Sequence, residues 1–408
     1  MTTDTDRYRA WLYDRAIGWL SRNHNCTWFE FDDEYVADPG RPVLGARFED
    51  NLRDRIAANV RLPPWFSNLL PEGLLRNWIA LQRGVSPDRE LDLLAEVGAD
   101  LSGAITVAAP GRRPEFESVV PEEIGDKESA ERRWGFALAG VGLKFSMLRS
   151  GDRFTCTATG IGGDWIVKLP DSQHPDVPRN EYTMMRLAAA VGIEVPEVAL
   201  VHRDEIVGLP DSAWRRREEY AYAVRRFDRV DGERVHIEDF AQLAGVYAER
   251  KYEGNYETIA SLVYRQHDVD ALAEFVRRLT FFVLVGNGDA HLKNWSLIYR
   301  DRRVPTLSPA YDIVATEPYS PRPGEETLAL KFAGSRRFES VRIHQFQRLS
   351  RRLRAAVGLA QVAEDVVRRA VHEWPRFAAE LEGVPLLGAS VTRTIAQRSS
   401  SLLGPDRS

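Results

Sequence analysis

Hydrophobic and polar positions change rhythm three times along the 408-residue chain. Up to about residue 108 the pattern is mixed. Ala16 to Leu20 and Thr27 to Phe31 predict strands, and Leu74 to Gln82 and Leu91 to Val97 predict helices. Pro63, Pro64 and Pro71 mark the intervening PPWFSNLLPEG as a structured loop. Ala109 to Arg133 is rich in proline and charge, the composition of a surface linker. From Trp134 to about Phe227 short strands dominate: Gly142 to Leu148, Asp164 to Leu169, Glu197 to Val201 and Tyr220 to Arg225. One helix interrupts them, about Asn180 to Val191, closed by Gly192 as C-cap and Pro196 shortly after. Beyond 228 the chain turns helical. Leu272, Phe275, Val276, Leu279 and Val283 share one helix face, and Gly286-Asn287-Gly288 ends that helix in a sharp turn. Arg-rich helical segments continue from Arg342 to about Leu387, and the polar end, 396–408, reads as a flexible tail. The expected organisation is a small N-terminal subdomain (1–108), a linker (109–133), a strand-rich lobe (134–227) and a helical lobe (228–395). A strand-rich lobe followed by a helical one leaves a cleft for a ligand.

Length alone requires two or three packed units. With 44% hydrophobic and 28% charged residues the composition is that of an ordinary globular protein. Lys and Arg number 55 against 60 Asp and Glu, a formal charge of -5, which argues against nucleic-acid binding over the whole surface. Cys26 and Cys156 lack any metal-ligand spacing, so a reducing compartment is expected. The start MTTDTDRYRA has neither the basic residues nor the apolar run of a signal peptide, and the longest apolar stretch, Phe281 to Val285, is too short to cross a membrane. The expected location is the cytoplasm.

The strongest chemical signal is Gly286-Asn287-Gly288-Asp289-Ala290-His291-Leu292-Lys293-Asn294. Aspartate followed five positions later by asparagine has the spacing of a kinase catalytic loop, where the Asp takes the acceptor's proton and the Asn holds Mg²⁺. Phosphoryl transfer depends on positioning and charge neutralisation, so it needs a carboxylate at the attacking oxygen and a metal ligand a short loop away. Alone, the spacing is common and an ordinary capped turn explains it. Between a buried helix and the apolar run WSLIY it carries more weight. Twenty-three residues on, Ser308-Pro309-Ala310-Tyr311-Asp312 offers a second carboxylate suited to Mg²⁺. Lys168, flanked by Ile166, Val167 and Leu169 in an expected core strand, needs an anionic partner there, and ATP phosphates would serve. The plain alternative is an edge lysine reaching water. Glu181, on the next helix, could pair with it or simply favour the helix dipole.

Ala139-Gly140-Val141-Gly142-Leu143-Lys144 would let backbone N–H groups approach a phosphate, with Lys144 adding charge, although a hairpin turn explains the glycines equally well. In Tyr222-Ala223-Val224-Arg225-Arg226-Phe227-Asp228, an apolar strand runs into charge. The main chain at Arg225, Arg226 and Phe227 would meet adenine, and Asp228 could reach the ribose; a strand end with surface ion pairs is the competing account.

The segments FSNLLPEG, LAGVGLKFSM, WIVKLP, NEYTMMRLAAAVGIEVPEV, VRRFDR, GNGDAHLKNWS and SPAYDI resemble, in order and separation, the HipA family of bacterial toxin serine/threonine kinases. The resemblance implies an α+β, two-lobed protein-kinase-like fold and an ATP- and Mg²⁺-dependent transfer to a cytoplasmic protein, such as an aminoacyl-tRNA synthetase. It implies Asp289 as catalytic base, His291, Lys293 and Asn294 as nucleotide and metal contacts, and Tyr311 and Asp312 as adenine-side aromatic and metal ligand. Lys168 would bind phosphate, Ala139 to Lys144 would cover it, and Arg225 to Phe227 would form the hinge. It further implies a HipB-type helix-turn-helix antitoxin, through which alone DNA would be contacted. Some members carry a regulatory serine just before the glycines; here Ala137 takes that place, so self-inactivation there is not expected.

Three other readings compete. An aminoglycoside-type small-molecule phosphotransferase shares the Asp…Asn and Asp motifs, but the N-terminal subdomain and LAGVGLKFSM speak against it. A non-catalytic scaffold has no physical need to keep Lys168, Asp289, Asn294 and Asp312 together. Nucleic-acid binding through Arg348, Arg351, Arg352 and Arg354 is less economical than a solvated helix face.

Overall fold

The computed structural model describes residues 5–112, 144–156, 163–171, 173–209, 213–214, 218–322 and 324–404. The chain forms two compact units: Met1–Asp171 with Val201–Arg250 and Ile298–Pro305, and Ser172–Leu200 with Lys251–Leu297 and Thr306–Ser408.

The first unit contains two sheets. Strands β1 (Asp6–Leu12), β2 (Arg15–Asn23), β3 (Cys26–Phe31), β4 (Ile56–Asn59) and β5 (Ile105–Ala108) form an antiparallel sheet in the order β4-β3-β2-β1-β5. Alternation decides its faces: Ala10, Leu12, Leu20 and Phe29 are buried, while Arg7 and Arg9 lie over the Trp19 ring outside. The proline-rich loop contributes a short helix, Pro64–Ser67, which the sequence pattern did not predict. Pro64 sits in its first turn, where a missing N–H costs nothing. The helix delivers Trp65 and Phe66 to a cluster in which Phe66 packs 4.7 Å from Phe29 and Trp65 5.5 Å from Phe48. Each such buried ring contributes roughly 1.5–3 kcal/mol.

The second sheet comprises β6 (Lys144–Ser150), β7 (Arg153–Cys156), β8 (Trp165–Lys168), β9 (Val198–His202), β10 (Ile206–Val207) and β11 (Tyr220–Arg225), ordered β10-β7-β6-β8-β11-β9. The central strands are antiparallel, and their register sets Lys144 and Tyr222 on either side of Lys168. Phe145, Met147, Trp165, Val167 and Ala223 fill the core.

The second unit is mainly helical. The expected helix after the β8 strand spans Val177–Ala190 and belongs here, packing on the later helix Leu359–Glu380. Gly192 takes φ +90° just after it. Helix Val269–Val285 buries nearly its whole circumference, the five residues of the predicted face included. Asp268 caps its start by accepting from the Ala271 N–H at 3.0 Å, and Gly286 closes it at φ +69°. Helices Ile343–Leu353, Leu359–Glu380 and Pro385–Leu403 complete the unit.

The tail expected from residue 396 is corrected by this structure: the last helix runs on to Leu403. Val391, Ile395, Arg398 and Leu402 are buried along one face. Arg398 is held by ion pairs to Glu317 and Glu339, so a residue that reads as solvated is a core position. Among the described residues, no helix is long and apolar enough to cross a membrane.

Candidate active site

The catalytic-loop motif begins where helix Val269–Val285 ends. Its two glycines answer different demands. Gly286 provides the left-handed C-cap. Gly288 provides space: a Cβ there would lie 1.9 Å from Glu326 Oε1 and 2.7 Å from the Thr327 carbonyl. Thr316 ties the turn together, its hydroxyl donating to the Gly286 carbonyl at 3.0 Å and accepting from the Gly288 N–H at 2.8 Å. Asp289 emerges from this brace with its side chain half exposed. Its N–H donates to Asn287 Oδ1 at 3.0 Å, and its carbonyl accepts from the His291 N–H at 2.7 Å and from Asn294 Nδ2 at 2.8 Å. That last bond fixes the Asn294 amide, with its nitrogen toward the loop, so that any metal it held would meet Oδ1.

Tyr311 joins the second motif to the first. Its hydroxyl donates to the Lys293 carbonyl at 2.9 Å and lies 2.6 Å from Ser296 Oγ. Asp312, the next residue, adopts φ +59°. Aspartate is among the residues that enter the left-handed region most readily. The structure brings Asp289, His291, Lys293, Asn294, Tyr311 and Asp312 into one part of the helical unit. Among the described residues, no three His, Cys, Asp or Glu side chains are placed together to hold a metal. Asn294 and Asp312 fit Mg²⁺ in the manner usual for that ion, two protein oxygens completed by nucleotide phosphates and water.

Lys168 stands on β8 of the other unit, its Nζ 5.6 Å from the Tyr222 ring centre, with Lys144 across the ladder. Of the glycine-loop residues, Ala139, Gly140, Val141, Gly142 and Leu143, together with Ala137, lie outside the described residues. Ser146 is buried, donating to the Gly163 carbonyl and accepting from Arg226.

The hinge motif needs correction. Asp228 was expected to reach a ribose, yet it is 4% exposed and wholly engaged. Its Oδ1 accepts from Arg226 Nε at 3.0 Å; its Oδ2 accepts from Arg226, from Arg229 at 2.9 Å and from the Gly103 N–H at 2.8 Å. The two guanidinium groups and these hydrogen bonds outweigh burial and hold the carboxyl below its ordinary range. Arg226 is buried too, pairing with Asp100 as well, and its N–H already donates to the Asp164 carbonyl at 2.8 Å. Neither side chain nor that N–H is available to a nucleotide. Arg225 ends β11 with an exposed side chain, and Phe227 is half exposed.

Several contributors escaped the motifs. Tyr252 donates its hydroxyl to Asp289 Oδ1. Thr316 and Glu326 brace the glycine turn. Burial, together with the charges of Glu317 and Asp289, raises the pKa of Glu326 against the opposing Thr316 hydrogen bond. None is adjacent in sequence to the loop it supports, so spacing held no signal for them.

The fold is protein-kinase-like, with a glycine-braced aspartate and an asparagine five residues on at the end of the long buried helix. Residues 136–374 match the HipA-like C-terminal domain and residues 8–108 the HipA N-terminal domain. The chain belongs to the HipA family. It is 41% identical over 395 residues to the protein Y4dM of Sinorhizobium fredii, covering 94% of each chain. It is 28% identical over 287 residues to the serine/threonine-protein kinase toxin HipA of Shewanella oneidensis, covering 62% of each. The same fold occurs in a solved Shewanella oneidensis MR-1 complex of HipA, HipB and operator DNA, with a TM-score of 0.72, 22% identity and 97% of each chain covered.

Proposed function

We propose that the chain is an ATP- and Mg²⁺-dependent serine/threonine protein kinase that modifies a cytoplasmic protein. The observation that carries this is the clamp of Asn294 onto the Asp289 main chain, in a loop that Tyr311, the neighbour of Asp312, joins through the Lys293 carbonyl. Asp289 would serve as the base, and Asn294 and Asp312, on two separate segments, would offer oxygens to a metal. Bound Mg²⁺ would neutralise the charge gathering on the transferred phosphate. Asp289 would accept the proton of the attacking hydroxyl. Asn294 and Asp312 would hold the ion, Lys144 and Lys168 would supply positive charge for phosphate oxygens, and Tyr311 would offer its ring on the adenine side.

Membership in the HipA family supports a protein acceptor over an aminoglycoside, an aminoacyl-tRNA synthetase being one candidate. The Shewanella complex supports a HipB-type helix-turn-helix partner, through which DNA would be reached indirectly. The decisive experiment offers radiolabelled ATP and a cell extract to wild type and Asp289→Asn, with aminoglycosides in parallel. Label entering a protein on serine or threonine with wild type alone is the expected result. Label entering aminoglycosides, or equal transfer by the variant, refutes the reading.

A further inference from the structure

Tyr252 lies 37 residues before Asp289 and outside every recognisable motif. Its hydroxyl nevertheless donates to Asp289 Oδ1. Its ring meets His291 edge-on with centroids 5.1 Å apart, and His291 Nε2 is 3.9 Å from that same carboxylate oxygen. The main chain around Tyr252 is anchored as firmly as the ring. Its carbonyl accepts from the Arg336 guanidinium, and the preceding Lys251 carbonyl accepts from the Leu292 N–H at 3.1 Å. A half-exposed carboxylate turns easily about its last torsion, because that rotation has only broad minima. A phenol fixed at both ends and bonded to one oxygen removes this freedom.

We infer that Tyr252 is a positioning residue, setting the rotation of Asp289 so that its carboxylate meets the acceptor hydroxyl. This rests on the kinase reading of Asp289. During transfer, the acceptor O–H gives its proton to Asp289 and its oxygen bonds to the γ-phosphorus. The bond from that phosphorus to the β–γ bridging oxygen breaks, and ADP leaves. Tyr252 keeps its proton throughout. It takes no part in bond making and touches neither reacting atom.

Tyr252→Phe keeps the ring against His291 and deletes only the hydroxyl. At saturating ATP, the initial rate of label transfer into extract protein falls roughly ten- to a hundredfold, the scale on which misplacement of a catalytic group is felt. The melting temperature and the ATP dissociation constant stay at wild-type values, which separates positioning from a structural role. A rate equal to or above wild type, or a fall in rate matched by lost ATP affinity or lost stability, overturns the inference. Asp289→Asn is measured beside it. If that variant transfers normally, the kinase reading itself has failed; if it is inactive while Tyr252→Phe matches wild type, only the role of Tyr252 has.

Discussion

Two aspartate-bearing segments of this chain look alike as text and differ as chemistry. VRRFDR in the strand-rich unit and GNGDAHLKN in the helical unit both place an acid beside cationic residues at the end of a regular element. In the first, Asp228 and Asp100 are consumed by Arg226, Arg229 and Arg234 in a buried cluster, with Arg226–Asp228 at 3.0 Å and Arg229–Asp100 at 2.9 Å. In the second, Asp289 stays half exposed and accepts from the Tyr252 phenol, with His291 Nε2 3.9 Å away, while Asp312 adopts φ +59°. An acid neutralised by the protein's own arginines has little charge left for a substrate. An acid left half exposed keeps a face that a substrate can reach.

The sharpest way to break this contrast is at the acids themselves. Asp289→Asn should lower transfer by several orders of magnitude while Mg²⁺-ATP still raises the melting temperature; equal loss of binding and turnover would show the base misassigned. Asp228→Ala should act oppositely, costing on the order of 3–5 kcal/mol in a urea unfolding midpoint because Arg226 and Arg229 lose a buried partner. If Asp228→Ala instead left stability intact and weakened ATP binding, Asp228 would be a nucleotide contact rather than a structural acid. Arg398→Met should cost about 3 kcal/mol, since Glu317 and Glu339 lose their shared cation, and would be checked by the same unfolding measurement.

A smaller effect separates buried acids within the strand-rich unit. Glu238 is fully buried, and desolvation pushes its pKa to about 7 despite hydrogen bonds from Tyr299, Ala46 and Trp65. The native state therefore holds a proton that the unfolded chain has released between the ordinary value of 4.5 and about 7. Stability from this group is complete below that window and declines as pH rises through it. Glu238→Gln cannot titrate, so its stability deficit against wild type should narrow by at most about 3 kcal/mol as pH climbs from 4.5 to 7. A deficit that widens across that range would reverse the sign and with it the assigned cause.

Local signals made much of this molecule readable from its residues. The strands around Lys168 and Tyr222, the buried helix ending at Gly286, the Asp289–Asn294 spacing and the family likeness all depend on short-range pattern, and apolar periodicity and glycine placement act within a few residues. What escaped was long-range. Tyr252 reaches Asp289 across 37 positions, Thr316 reaches Gly288 across 28, and Asp228 meets the Gly103 N–H across 125. The helix through Leu403 was misread because Arg398 is polar as a letter and buried as a side chain.

The amino-acid order by itself determined most of the elements, the family and the residues proposed for phosphoryl transfer. Tertiary structure alone decided which acids are buried among arginines, as Asp228 is, and which stay half exposed, as Asp289 does, because such surroundings are assembled from residues far apart in the chain.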